Sequence, residues 1–363
     1  MSAAQMMSAQ SLEQLADGCA VLGGGGGGSI RESLLAAQQA FEDFGPVTLI
    51  DLDSLDDDAL IMPCGLLGAP AVAEEKLGDG REGAWLRDRI EHLTGRRVAA
   101  FMPSEVGGAN GVSPFGWAAC AGVPIVDADG MGRAFPHMRQ VTMRLAGIDP
   151  GPSVMTDERG NISVFHPNDV DWLERVYRMA ATASGGLTVT AEFLMSAAEA
   201  RGAVIRGSLG RALRIGQARL SSDPLASLLG AADATTLIEG RIVEIDWADR
   251  RPRARGSISV EGAGHDEGRW LRLELQDEIL LALENGRPLA VVPDIITVLD
   301  SFDYRAIPTE DLRLGQRVVV VAMPSADVWM TPAGLQLVGP RAFGYDLEHP
   351  RNTLPASGRD RDV

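Results

Sequence analysis

Two short apolar runs, Val98–Met102 and Val123–Val126, each lead into a carboxylate and a glycine-bearing loop. The first meets Glu105-Val106-Gly107-Gly108-Ala109-Asn110, the second Asp127-Ala128-Asp129-Gly130-Met131-Gly132-Arg133. Carboxylates at neighbouring strand ends can orient water, shuttle a proton or share a metal ion. Asp127 and Asp129 are two apart, so in an extended segment both project to the same face. The ordinary alternative for such aspartates is helix capping and turn formation. Asn110 could hydrogen-bond a ring carbonyl or amide, or cap the helix that follows. The Arg133 guanidinium suits a substrate carboxylate, or equally a salt bridge to one of the acids.

A glycine run, Gly23 to Gly28, precedes a helix start, where free amides and the positive dipole end favour an anion. Gly25, Gly26 and Gly27 are therefore candidate substrate-binding positions, against the alternative of a flexible linker between two helices. No Gly-Lys-Ser/Thr follows the run, so it is no nucleoside-triphosphate loop. His137 and His166 are the histidines nearest these loops, without close ligand spacing. Cys64, in Met62-Pro63-Cys64-Gly65, ends a strand-like run and is a candidate nucleophile or ligand beside the role of inert filler. Arg201, Arg206, Arg211 and Arg214 line up as an anion pocket or, more ordinarily, a solvated helix face.

These residues need a frame to hold them. Ser11–Val21 reads as a helix, and Ser29-Ile30-Arg31-Glu32 matches a capping box opening a second helix that Gly45-Pro46 ends. Val47–Ile50, Ala59–Met62, Val98–Met102 and Val123–Val126 read as strands, with a helix over Glu82–Leu93. That alternation predicts an α/β domain with a mostly parallel sheet over residues 1–167, closed by a hairpin at Asp157–Asn161. In open sheets of this kind ligands sit beyond the carboxyl ends of the strands. Residues 168–350 form a second region, a helical segment leading into a mainly β domain. Its helices are expected after Asn168 or Asp169, over Leu187–Ala200 and over Ser208–Leu220. Its strands are expected at Arg241–Trp247, Gly256–Val260, Leu271–Leu275, Pro288–Val298, Arg317–Ala322 and Leu335–Val338, as a sandwich or partly open barrel. Residues 351–363 read as a loose tail.

Composition removes several function classes. The 363 residues carry a formal net charge of −17, which repels nucleic-acid phosphates, and no basic stripe offsets it. No apolar run approaches the roughly 20 residues that span a membrane. The N-terminus lacks a basic segment before an apolar one, so a cytoplasmic protein is expected. Three scattered cysteines argue against a disulfide framework or a zinc ribbon.

The segments Gly23–Gly28, Gly65-Leu66-Leu67-Gly68-Ala69-Pro70, Glu105–Asn110 and Asp127–Pro136 resemble the S-methyl thiohydantoin desulfurase family. So do Leu314–Val318 and Val338–Asp346 near the far end. A similar ending occurs beside hydantoinase and oxoprolinase subunits. The resemblance covers nearly the whole chain and implies a bacterial two-domain protein hydrolysing a methylthio-substituted imidazolone ring to a hydantoin, with release of methanethiol. Such hydrolysis needs an activated water, stabilised charge on the ring and help for the leaving thiolate. Glu105 is the expected general base and Asp129 a proton shuttle or metal ligand, with Asp127 beside them. The amides of Gly107 and Gly108 are candidates to bind developing negative charge. A divalent metal such as zinc would make hydroxide available, and Glu105, Asp129, His137 and Cys64 are its candidate ligands. The expected partner is a small ring substrate. The alternative is a non-catalytic subunit of a hydantoinase-type complex, and self-association is left open.

Overall fold

The computed structural model describes residues 4–69, 72, 75, 76, 78, 80–247 and 255–350. Pro70 of the Gly65–Pro70 segment and the tail 351–363 lie outside the described residues.

The sheet of the first half has a parallel core. Strands β2 (Thr48–Ile50), β5 (Ile125–Val126), β4 (Val98–Pro103) and β3 (Leu60–Gly68) lie side by side in that order. β1 (Gln5–Met6) pairs antiparallel with β2 at one margin. The other margin is antiparallel too: β9 (Leu187–Ala191) on β3, then β7 (Ser153–Thr156) and β8 (Ile162–Phe165) as the expected hairpin. The sheet is therefore mixed, parallel only at its centre.

β9 departs from the helix expected over Leu187–Ala200. Thr188, Val189 and Thr190 carry the β-branched side chains that suit a pleated, half-buried surface. They pair with Leu66 and Leu67 and with Met155 and Thr156. Only Ala197–Ala203 is helical, opened by the complete capping box of Ser196 and Glu199. At Ser29 the box is partial: the hydroxyl accepts from Arg31 N at 3.3 Å and donates to Glu32 at 2.7 Å.

Helices α1 (Ala9–Gly23), α2 (Ile30–Phe44), α3 (Glu82–Thr94) and α4 (Ala109–Ala121) cover one face of the sheet. They bury Leu15, Ala37, Ile90 and Phe115 against Leu60, Met62 and Phe101. The other face holds Ile61, Ala100 and Met102 with Phe135, Phe193 and Trp329. Asp169 caps α6 (Val170–Ala183), its carboxylate accepting from Trp172 N at 2.7 Å. Helix α8 (Ser208–Arg219) packs on α1 at two glycines.

The second domain is one antiparallel sheet of seven strands rather than a sandwich. Its order is β16 (Arg287–Val291), β15 (Ile279–Glu284), β14 (Trp270–Leu275), β13 (Gly256–Gly262), β12 (Thr235–Trp247), β18 (Arg317–Met323), β17 (Ile295–Asp300). The sheet curls into a half-barrel that brings β15 and β16 near β17. Along β18, Val318, Val320 and Ala322 face the β core, while Val319, Val321 and Met323 join the core under α1. That period of two welds the domains along a continuous apolar seam. Leu335–Val338, expected as a strand, ends a helix over Pro332–Val338 that starts with proline and is capped by Thr331.

Candidate active site

The loops after β4 and β5 fold toward each other, and backbone amides on one are held by a carboxylate on the other. Asp129 is fully buried, and its Oδ2 accepts the amides of Val106 at 2.8 Å, Met131 at 3.0 Å and Gly132 at 2.7 Å. Burial pushes its pKa up to about 6 although the Gly132 and Met131 amides pull it down. An acid so occupied holds the next residue back, Glu105, in place.

Glu105 is 7% exposed. Its Oε1 accepts from Asn110 Nδ2 at 2.5 Å and its Oε2 from Phe135 N at 3.3 Å. Asn110 is itself fixed, its Oδ1 accepting from Leu66 N at 2.6 Å. Burial pushes the Glu105 pKa up to about 8; its two hydrogen bonds and Arg133 pull it down, and the Asp129 charge pushes it up. The side chain is thus an acid that keeps its proton at neutral pH, gripped at both oxygens.

Gly107 and Gly108 serve close packing. Gly108 adopts φ +59°, and a Cβ there would stand 2.5 Å from the Gly27 carbonyl carbon. Its amide donates to Cys19 O at 2.8 Å, so that N–H is already engaged and does not point at a developing anion. The glycine run is a folded strap that crosses between the domains. Gly24 O accepts from Ile279 N and Gly25 O from Thr309 N, both at 2.9 Å, while Gly27 O accepts from Ala109 N at 2.9 Å. Gly25, Gly26 and Gly27 thus line the domain boundary next to Gly107 and Gly108.

Arg133 is wholly buried and spends most of its donors on backbone. Nε donates to Ala134 O at 2.9 Å; Nη1 donates to Pro293 O at 2.9 Å and Asp294 O at 2.7 Å. The guanidinium lies 4.8 Å from the Phe135 ring centre. Burial lowers its pKa to about 10, with Glu278, Asp294 and Glu105 pulling the other way, so it stays a cation. Its Nη2 has no hydrogen-bond partner among the described residues.

The remaining candidates lie elsewhere or are engaged. Asp127 caps α8, accepting from Gly210 N at 2.9 Å, and lines a separate cleft of about 540 Å³ with Asp51, Arg206 and Arg214. His137 Nδ1 is 2.8 Å from Glu174 Oε1. Burial would raise the Glu174 pKa, but His137 and Arg178 outweigh it and hold it at about 2. Burial, aided by the charge of Glu192, pushes the Cys64 thiol far above its usual range, which keeps it protonated and inert. Among the described residues no group of three or more His, Cys, Asp or Glu side chains is arranged to hold a metal ion. Glu105, Asp129, His137 and Cys64 are each committed to other partners and do not form a ligand set.

Among the buried acids that escaped the sequence reading are Glu192 and Glu278. Glu192, 4% exposed, follows β9; burial raises its pKa to about 7 against bonds from Thr190, Ser104 and Tyr177. Glu278, 2% exposed, sits between β14 and β15 and reaches the glycine strap. Each lies beside a strand, β9 or β15, that the periodicity did not reveal. The turn Gln276-Asp277-Glu278 between two apolar runs was the one available signal for the latter.

Family models described as S-Me-THD-like, N-terminal domain, and S-Me-THD-like, C-terminal domain, match residues 10–167 and 168–351. No curated protein matches the chain. A crystal structure of a protein from Chromobacterium violaceum superposes with a TM-score of 0.78 at 24% identity, covering 95% of this chain and 99% of that one. At that identity the likeness speaks for the fold alone. No helix among the described residues is long and apolar enough to cross a membrane.

Proposed function

The chain belongs to the S-Me-THD-like family, and we propose that it hydrolyses a small cyclic amide or thio-imide of the S-methyl thiohydantoin kind at Glu105. The observation that carries this reading is Glu105 itself: a buried acid with its proton retained near neutrality, aimed by Asn110 and the Phe135 amide at the strand ends. A pKa near the working pH is what proton transfer in both directions requires.

The chemistry then runs as follows. Water adds to the ring carbon bearing the methylthio group, and the C=N nitrogen takes the Glu105 proton as that bond opens. The C–S bond breaks as the new hydroxyl becomes a carbonyl. The proton that the water sheds on adding returns to the Glu105 carboxylate, and the proton that the new hydroxyl sheds goes to the departing thiolate, leaving a hydantoin, methanethiol and a re-protonated Glu105. At neutral pH Glu105 acts first as an acid, where its position in the sequence suggested a base. The Arg133 cation stabilises charge on the ring electrostatically in a water-poor setting.

The test is methanethiol release from a panel of S-methyl thiohydantoins, with hydantoin formation followed in parallel. Turnover by the wild-type protein and its loss in Glu105→Gln are expected. A folded wild-type protein that turns over no member of the panel, or full turnover by Glu105→Gln, overturns the assignment.

A further inference from the structure

Glu278 brings the β domain into the site, and the chemistry above leaves it without a task. It occupies the turn between β14 and β15, with Oε2 buried and without a hydrogen-bond partner among the described residues. Its Oε1 lies so close to Gly26 that a Cβ built there would stand 2.4 Å away. Arg133 approaches the same strap from the first domain. A Cβ on Gly24 would stand 3.3 Å from its Nη2. Arg133 and Glu278 feel each other's charge, Arg133 and Glu105 do likewise, and Glu278 also feels Glu105.

A buried carboxyl oxygen and a buried guanidinium nitrogen left without partners are costly, and native structures rarely keep them so without a reason. Here the side chains that carry them reach one glycine strap from opposite domains, Glu278 through Oε1 at Gly26 and Arg133 through Nη2 at Gly24. The strap carries no side chain at Gly24, Gly25 or Gly26 that could satisfy either. A Cβ at Gly26 would collide with the Glu278 carboxyl, so glycine there is what lets that side chain lie against the strap.

We propose that Glu278 is a ligand-binding residue that pairs with the –CO–NH– edge of a ring amide, with Arg133 Nη2 beside it as a second donor. This rests on the reading that the protein takes ring amides. In a five-membered ring the amide is locked cis, so N–H and C=O point to the same side. A carboxylic acid presents the complementary O–H and C=O, and two hydrogen bonds close a cyclic pair. An ionised carboxylate offers acceptors only and loses half of it. Burial, with Asp277 and Glu105 pushing the same way and Arg133 opposing, holds the Glu278 carboxyl well above the usual carboxylate range. The acid form is therefore the one the ring meets.

The probes are hydantoin and 1,3-dimethylhydantoin, which lacks both ring N–H groups, with binding measured by calorimetry. Glu278→Gln keeps a donor and an acceptor and is expected to bind hydantoin within about threefold of wild type, whereas Glu278→Ala weakens it by ~10-fold or more. Wild type should prefer hydantoin to the dimethyl ring by ~10-fold or more, and Glu278→Ala should show no preference. The ligand comparison in the wild type needs no mutation, so it stands even if Glu278→Ala fails to fold. Equal binding of the two rings by wild type, or unchanged hydantoin binding by a folded Glu278→Ala, overturns this proposal. Water alone then satisfies the two groups, while methanethiol release can still stand. A wild type that neither binds hydantoin nor turns over any thiohydantoin removes the parent reading as well.

Discussion

Oδ2 of Asp129 accepts the backbone amide of Val106 at 2.8 Å, and in doing so fixes the residue that directly follows Glu105. The same oxygen holds Met131 and Gly132, so one carboxylate ties the loop after β4 to the loop after β5. Asp129→Ala strips the acceptor from these amides, two of them buried, and should cost about 3 kcal/mol or more in unfolding free energy. Asp129→Asn keeps one acceptor oxygen and should cost roughly half as much. Urea unfolding of the two variants checks the order. Equal stability of Asp129→Ala and wild type would show that the loops are held by something else.

Glu105→Gln separates chemistry from packing. Glutamine retains an oxygen for Asn110 and loses only the 3.3 Å bond from Phe135 N, so stability should change by less than about 1 kcal/mol. Turnover should vanish. In the wild type, kcat/KM should fall roughly tenfold per pH unit above about pH 8, where Glu105 gives up its proton. A rate that rises through that range would assign the base role instead.

Stability should also follow the buried acids. Glu105, Glu192 and Asp129 have folded-state pKa values of about 8, 7 and 6, each raised above its ordinary value. Between the unfolded and folded values the native state binds more protons than the unfolded chain, so stability falls as pH rises through this range. The contribution is complete below the unfolded values and gone above pH 8. Glu174 works in the other direction: its depressed pKa gives stability that is lost only as pH falls toward 2. Melting temperature should therefore be higher near pH 5 than near pH 9, and a curve rising across that interval would contradict the assigned burial.

Sequence periodicity carried the parallel strands and the helices between them because each had a long apolar stripe or a run ended by turn residues. It also carried the convergence of Glu105 and Asp129, since both follow core strands of one sheet. It failed where tertiary pairing decides conformation. Leu187–Ala191 has alternating character too short to outweigh the alanine-rich stretch after it, and it is pairing with β3 and β7 that makes it a strand. Its turn marks Glu278 as a loop acid but does not place it: the residue lies more than 140 positions beyond Arg133 and across a domain boundary. Charge was another blind spot. Nothing in the local sequence says that Arg133 is spent on the carbonyls of Pro293 and Asp294.

Gly216 shows how a local rule can invert. In isolation a mid-helix glycine weakens α8, and alanine there should add about 1 kcal/mol of helix stability. In the fold, a Cβ at Gly216 would stand 1.7 Å from Gln14 O, and one at Gly18 of α1 would stand 1.8 Å from Ala212 O. The two helices cross backbone to backbone, and neither obstacle is a flexible side chain that could swing away. Gly216→Ala should therefore destabilise by about 3 kcal/mol or more, because the helices must separate and open the core around Leu15 and Ile215. Gly230→Ala, in the helix Pro224–Ala232 with open space around the glycine, is the control and should be neutral or stabilising. Chemical denaturation of both variants decides it, since a stabilising Gly216→Ala would mean that α1 and α8 do not meet at this crossing.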